Sequence, residues 1–350
     1  MIKLKAIKNV VCCLIVISLI SLVCVPLTTY ATLITVRVHS PALDDNMLGD
    51  APDRSVLIYL PPDYKDNPDK RYPVIYLLHG FTCDHTAWLG ECYIPMTVSF
   101  DSLCSNLIEQ EIIQPMIIVM PDARNKYLGS WYTNSAVTGN WEDFITQDLV
   151  AYVDSTYRTI PLADSRGIAG HSMGGFGAMK LVMKHPEIYC AVYSLSGVLD
   201  FDNFYLDRGR NNIMRAVKAD TLDNLPNLSI SSAVAFAPNP NTQPFLCDFP
   251  LDENEQVVES VWGKWLQYDP LTMISSYRKN LMQLQGIRFD CGVSDGWCYA
   301  GNLTFSQALK DENIPYVFEE YEGNHTNEIQ NRIENYLLPF FSEVLAYQVE

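Results

Sequence analysis

Positive charge is scarce in this 350-residue chain: 24 Lys and Arg stand against 41 Asp and Glu, for a formal net charge of −17. So acidic a surface repels phosphate backbones and anionic headgroups, which argues against nucleic-acid partners and against binding to a membrane surface. Histidine is rare, with six in all, and no Cys-x-x-Cys pair offers the spacing of a structural zinc site. Neither a metal nor an organic cofactor is called for. Beyond the N-terminus no run approaches the roughly 18 apolar residues needed to span a bilayer. Internal repeats and low-complexity tails are also missing, which excludes solenoids and linker-rich architectures.

What the first residues do contain is a secretory pattern. Lys3, Lys5 and Lys8 make a basic start, residues 10–26 are almost entirely apolar, and Thr29-Tyr30-Ala31 offers a small-residue cleavage site. Residues 1–31 are therefore predicted to be a signal peptide, leaving a bacterial secreted (extracellular) protein with no membrane partner after cleavage. Removing three lysines and no acid takes the formal charge from −17 to −20, and about 319 residues (350 minus 31) remain to build one large α/β domain over 32–350. Ten cysteines fall to seven with the loss of Cys12, Cys13 and Cys24. An odd count leaves at least one unpaired; Cys92 with Cys104 and Cys291 with Cys298 are candidate pairs.

Apolar, β-branched runs at 55–60, 73–78, 116–120, 167–169, 191–196, 287–291 and 316–321 read as strands. Helical periodicity occupies 141–157, 175–184, 303–311 and 327–345. This alternation predicts a mostly parallel central sheet with helices on both faces, and such sheets gather ligand chemistry at the carboxyl ends of their strands. Residues 201–269 break the pattern with five prolines, among them Pro226 and Pro250, followed by Trp262 and Trp265. They read as an insertion above the sheet, a candidate cap.

The chemistry is concentrated in Gly170-His171-Ser172-Met173-Gly174, which follows a short apolar run and opens a helical segment. Glycines two residues either side of a serine suit a sharp strand-to-helix turn that exposes the hydroxyl. A serine nucleophile needs a histidine to take its proton and a carboxylate to orient that histidine. Of the histidines after Ser172, His185 falls at the end of the following helix, where an imidazolium complements the helix dipole. His325, in the polar loop Tyr321-Glu322-Gly323-Asn324-His325, is the expected base. Between them the segment 289–295 offers two carboxylates: Asp295 lies past the strand and is favoured as the acid, while Asp290 falls within it and is expected to bond locally. Acyl transfer also needs donors for the developing oxyanion. Met173 N–H is one by its place at the helix start, and Phe81 N–H, turned by Gly80 after the strand ending at His79, is the other.

These motifs resemble the esterase D and feruloyl esterase branch of the α/β-hydrolases, which includes S-formylglutathione hydrolases, acetyl xylan esterases and mycolyltransferases. The matching residues are Ser40-Pro41-Ala42-Leu43, Leu60-Pro61-Pro62-Asp63-Tyr64, Tyr72 through Gly80, Gly170 through Gly175, Cys291-Gly292 before Asp295, and Gly323-Asn324-His325. The resemblance implies an α/β-hydrolase fold with an insertion between the nucleophile and acid strands. It implies Ser172 as nucleophile, Asp295 and His325 as its partners, and Phe81 and Met173 as oxyanion donors. Two departures stand out: 123 residues separate positions 172 and 295, more than the family core needs, and residues 122–133 match the family's active-site loop only loosely.

The function expected is a secreted serine carboxylic-ester hydrolase acting through an acyl-serine, removing acetyl or feruloyl groups from a small-molecule or polysaccharide ester. Trp131 and Trp297 are candidate substrate-binding residues, since exposed rings stack on sugars and aryl groups. The same acyl-enzyme resolved by a sugar hydroxyl would make the protein an acyltransferase, as in the mycolyltransferases. A non-catalytic carbohydrate-binding protein is the third reading. Asn324-His325-Thr326 is formally a glycosylation sequon, expected to be unmodified because a glycan there would obstruct the base.

Overall fold

The computed structural model describes residues 31–219, 221 and 227–348, so residues 1–30 of the expected signal peptide, with Cys12, Cys13 and Cys24, lie outside the described residues. The strands are β1 (Thr32–His39), β2 (Asp53–Leu60), β3 (Val74–Leu78), β4 (Ile117–Pro121), a small hairpin of β5 (Asn134–Ser135) and β6 (Gly139–Asn140), β7 (Arg166–His171), β8 (Ala191–Leu195), β9 (Gly286–Gly292) and β10 (Val317–Tyr321). Eight of them form one sheet in the order β1-β2-β4-β3-β7-β8-β9-β10. β1 and β2 are antiparallel to each other, β2 is antiparallel to β4, and all later pairings are parallel.

The helices are α1 (Phe100–Glu109), α2 (Trp141–Asp143), α3 (Leu149–Thr156), α4 (Met173–Lys184), α5 (Arg210–Val217), α6 (Asn227–Phe236), α7 (Glu259–Leu266), α8 (Pro270–Leu281), α9 (Tyr299–Asp311), α10 (Ile329–Arg332) and α11 (Leu338–Val344). They cover both faces of the sheet, which is why its central strands read as unbroken apolar runs. In β3, Val74, Tyr76 and Leu78 pack into one core with Phe176, Met179 and Met183 of α4. Ile75 and Leu77 point the other way, toward Phe100 and Leu103 of α1 and Phe340 and Phe341 of α11. This is the helix-covered, mostly parallel sheet anticipated from the alternation of strands and helices, and the α/β-hydrolase architecture that the resemblance implied.

Several boundaries differ from expectation. β1 was not anticipated; it is an edge strand, paired only to β2 and buried mainly at Val38, so its apolar signal is diluted. β7 runs for six residues where three were expected, because its glycines are flanked by β3 and β8 and their backbones complete both ladders. The C-terminal helix passes through a π-helical stretch, Ile333–Leu337, just before Pro339, whose ring nitrogen cannot donate to a carbonyl of the preceding turn. The described part of the Pro-rich stretch 201–269 contributes α5, α6, α7 and a π-helical turn at Asp202–Arg208, and Pro226 lies outside the described residues.

Neither candidate cysteine pair forms. Cys83 bonds to Cys92, nine residues away, while Cys104 is locked on the buried face of α1 and Cys291 donates its thiol toward Asp295 Oδ2 at 3.5 Å. Cys104, Cys190, Cys247, Cys291 and Cys298 are free and buried.

Candidate active site

β7 delivers Ser172 into the turn before α4 with φ 58° and ψ −115°, a left-handed conformation that costs a non-glycine residue energy. The flanking glycines make the turn sterically possible. A Cβ on Gly170 would stand 2.4 Å from the backbone of Gly174, and one on Gly174 would stand 2.1 Å from the Leu78 carbonyl oxygen. Ser172 N–H donates to Leu195 O of β8 at 2.9 Å, tying the strained residue to the neighbouring strand.

Asp295 and His325 arrive on loops beyond β9 and β10, which are stitched together by Ser294 N–H donating to Gly323 O at 2.9 Å and Val293 N–H to Tyr321 O at 2.9 Å. His325 Nδ1 lies 2.6 Å from Asp295 Oδ2. The other oxygen of Asp295 accepts the backbone N–H groups of Trp297 at 3.0 Å and Cys298 at 3.1 Å. Burial alone would push the Asp295 carboxyl up; the bond and charge of His325, with those two N–H groups, outweigh it and hold the carboxyl below its ordinary value. The Asn324 side chain accepts from the N–H groups of Thr326 and Asn327 at 2.9 and 3.0 Å, bracing the loop that presents His325. Asp295, Cys298 and His325 also group their donor atoms within 4.8 Å, but a cation there would have to displace the His325 to Asp295 bond.

Ser172 and His325 line one cavity of about 280 Å³ together with Phe81, Tyr93, Phe204 and Trp297. Among the described residues, no Asp, Glu, Lys or Arg lines it. Among the described residues, the backbone N–H groups of Phe81 and Met173 have no acceptor within the protein. Two unpaired donors on the loops around a half-buried serine are what a developing oxyanion would require.

The Phe81 loop is pinned by side chains to which the sequence patterns assigned no role. His79, fully buried, donates Nδ1–H to Gly80 O at 2.8 Å and accepts Ala123 N–H on Nε2 at 2.9 Å. Tyr132 Oη donates to His79 O at 2.8 Å, and Lys180 Nζ of α4 donates to Tyr132 O at 2.6 Å. Lys180 is buried and paired with Glu142 Oε2 at 3.0 Å, while His185 Nε2 lies 3.1 Å from Glu142 Oε1. His185 thus belongs to a charge network at the end of α4, remote from the cavity. His171 was missed as well: its imidazole packs 4.6 Å from that of His325.

The two candidate tryptophans part company. Trp297 is exposed, lines the cavity and stands 5.6 Å from Phe204. Trp131 does not line it: the indole is buried against Phe176 and Phe236 at 5.4 and 5.6 Å, and its Nε1–H donates to Ser231 Oγ at 3.1 Å. Its place is in the core joining the insertion to the body, so the expectation that it touches substrate is corrected. Asp290 is likewise not bonded locally but across the fold, to Arg332 Nε and Tyr193 Oη, both at 2.7 Å.

A family model described as "Putative esterase" matches residues 51–329. An esterase of Mycobacterium tuberculosis is 35% identical over 281 residues, covering 77% of this chain and 52% of that protein. The chain thus spans about half the length of the curated relatives it matches. Among solved structures, a ferulic acid esterase superposes with a TM-score of 0.65 at 22% identity, covering 91% of this chain and 100% of its own. A ferulic acid esterase from Anaeromyces mucronatus in complex with ferulic acid gives a TM-score of 0.54 at 16% identity, covering 90% and 92%. At such identities the structural likeness speaks for the fold.

Proposed function

The chain belongs to the Putative esterase family, and on that premise we propose that it is a secreted serine carboxylic-ester hydrolase that releases aromatic acyl groups of the feruloyl type from a polysaccharide or a smaller sugar ester. Ser172 Oγ attacks the ester carbonyl while His325 Nε2 takes its proton; Asp295 keeps Nδ1 protonated and stabilises the imidazolium that forms. The oxyanion falls to the N–H groups of Phe81 and Met173. Collapse expels the alcohol, which leaves with the proton from His325, and water activated by the same histidine then releases the acid from the acyl-serine.

The observation that carries this reading is the shared cavity: nucleophile and base open onto one pocket walled by Phe81, Tyr93, Phe204 and Trp297, with no charged side chain among the described residues that line it. Aromatic walls favour an aryl acyl group over acetyl, which would leave most of that surface uncovered. Export is supported by the Cys83 to Cys92 disulfide, a bond that persists in oxidising compartments. The test is fluorophosphonate labelling of the wild type and Ser172→Ala, with methyl ferulate, feruloylated arabinose and acetylated sugar as substrates. Loss of labelling and turnover in the variant, with kcat/KM higher for feruloyl than for acetyl esters, is expected. Activity retained by Ser172→Ala sinks the mechanism, and a preference for acetyl sinks the acyl assignment.

A further inference from the structure

Beyond the two backbone donors, a third donor without a partner stands at the same site. Tyr93 lines the cavity that holds Ser172, His325 and Phe81. Its hydroxyl is turned onto the loop that presents Phe81: a Cβ placed on Gly80 would lie 1.9 Å from Tyr93 Oη. With a Cα–Cβ bond of about 1.5 Å, the oxygen stands within roughly 3.4 Å of Gly80 Cα, the atom from which the peptide unit bearing the Phe81 N–H begins. Among the described residues this hydroxyl donates to no protein acceptor. Neither, as noted, do the N–H groups of Phe81 and Met173.

We propose that the Tyr93 hydroxyl is a catalytic group, a third hydrogen-bond donor to the oxyanion formed when Ser172 attacks the ester. The proposal rests on the esterase reading above. As the Oγ to carbonyl-carbon bond forms, the π-bond pair moves onto the carbonyl oxygen. Tyr93 donates a hydrogen bond to that oxygen and keeps its proton throughout, so the proton count of the step is unchanged.

Three further facts fit the role. Burial pushes the Tyr93 phenol up from its ordinary value, so the group stays protonated, and therefore a donor, wherever His325 can act as a base. The ring packs 5.8 Å from the His171 ring. Its neighbour Cys92 is bonded to Cys83, two residues past Phe81, so one covalent link fixes Tyr93 and Phe81 relative to each other. A donor held in place before reaction costs no reorganisation when the charge appears, and a hydroxyl with no protein acceptor among the described residues gains one in the transition state.

Tyr93→Phe keeps the ring and removes only the oxygen. On a feruloyl ester, kcat is expected to fall about a hundredfold, the low end of the cost of losing one oxyanion donor, with KM within twofold of wild type. Affinity for an aryl trifluoromethyl ketone, which forms a tetrahedral adduct on serine, should fall in parallel. A kcat within threefold of wild type overturns the proposal, and so does a raised KM with kcat unchanged, which would make the hydroxyl a ground-state contact. Should the wild type hydrolyse no ester, or Ser172→Ala match it, the esterase reading itself fails. An active wild type, an inactive Ser172→Ala and an unimpaired Tyr93→Phe would remove the Tyr93 role alone.

Discussion

His171 donates its Nε2–H to the backbone carbonyl oxygen of His325 at 2.7 Å, so the residue beside the proposed nucleophile holds the main chain of the proposed base. The contact joins the two corners of the site directly, across 154 residues of sequence. His171 Nδ1 is buried and has no partner among the described residues, which fits a neutral ring with its proton on Nε2.

That bond should be felt in turnover. His171→Phe keeps the packing and deletes the donor; kcat is expected to drop roughly tenfold to a hundredfold with little change in KM, as when outer-shell partners of an active residue are removed. His171→Gln, which can donate from its amide, should recover part of the loss. Equal kcat in wild type and His171→Phe would remove this role. The pH dependence of folding gives a second readout. Burial, together with the neighbouring His325, holds His171 at about 3, against about 6.5 for a free imidazole. Between those values the unfolded chain binds a proton that the folded chain refuses, so stability falls as pH is lowered through that window. The drop in urea midpoint from pH 7 to pH 4.5 should be smaller in His171→Phe than in wild type.

Asp295 and Asp290 should separate by phenotype. Asp295→Asn is expected to lower kcat by about 10³ to 10⁴ with the fold intact, since an amide favours the wrong tautomer of His325. Asp290→Asn touches neither cavity nor base but weakens the buried bonds to Arg332 and Tyr193. It should lower the melting temperature and leave kcat per folded molecule unchanged. Steady-state kinetics with calorimetry on both variants would reveal a reversed pattern.

The Lys180 and Glu142 pair offers a test of buried charge. Burial, opposed by Glu142, brings Lys180 down to about 8. Lys180→Met leaves Glu142 under-compensated and should cost about 3 kcal/mol in chemical denaturation. Pairing it with Glu142→Leu should cost less than the single change, because the stranded charge goes too. A double variant as unstable as the sum of its parts would argue that the two side chains act independently.

Reduction of Cys83–Cys92 should act on both stability and the site. Closing so short a loop restricts the unfolded chain by somewhat under 3 kcal/mol, and Phe81 and Tyr93 lie close to its two ends. Incubation with dithiothreitol, or Cys92→Ser, should lower the melting temperature and reduce kcat/KM severalfold on an aryl ester. Kinetics indifferent to reduction would mean that the loop holds its shape unaided.

Much of the sheet and the Ser172 turn was legible because their signals are local. β3 and β4 are apolar runs covered on both faces, and Gly170 and Gly174 mark a turn whatever surrounds it. The expected order of serine, acid and histidine along the chain narrowed six histidines to His185 and His325, and the place of His185 at a helix end left His325 as the expected base. What stayed hidden was relational. The bond of His171 to the His325 carbonyl and the hold of Lys180 on Tyr132 involve residue types common in ordinary cores, and neither has a spacing rule. Cys83 could not be told from Cys104 as the partner of Cys92, since pairing depends on which loop folds back. Trp131 carries the composition of a stacking platform, but burial decides between platform and core, and one sequence does not report burial.

The cavity wall also has a divided origin. Ser172, His325, Phe81 and Tyr93 come from loops at the carboxyl ends of the sheet strands, whereas Phe204 and Leu228 come from the segment inserted between β8 and β9. Trp131 fastens that segment to the body from behind, through Ser231 and Phe236, without facing the cavity. The aromatic wall is therefore shared: Phe81, Tyr93 and Trp297 stand on the sheet's own loops, and the inserted segment adds Phe204. A change in the inserted segment would reshape one side of the room for the acyl group and leave the other in place, while the contacts of Ser231 and Phe236 with Trp131 keep the segment seated on the body.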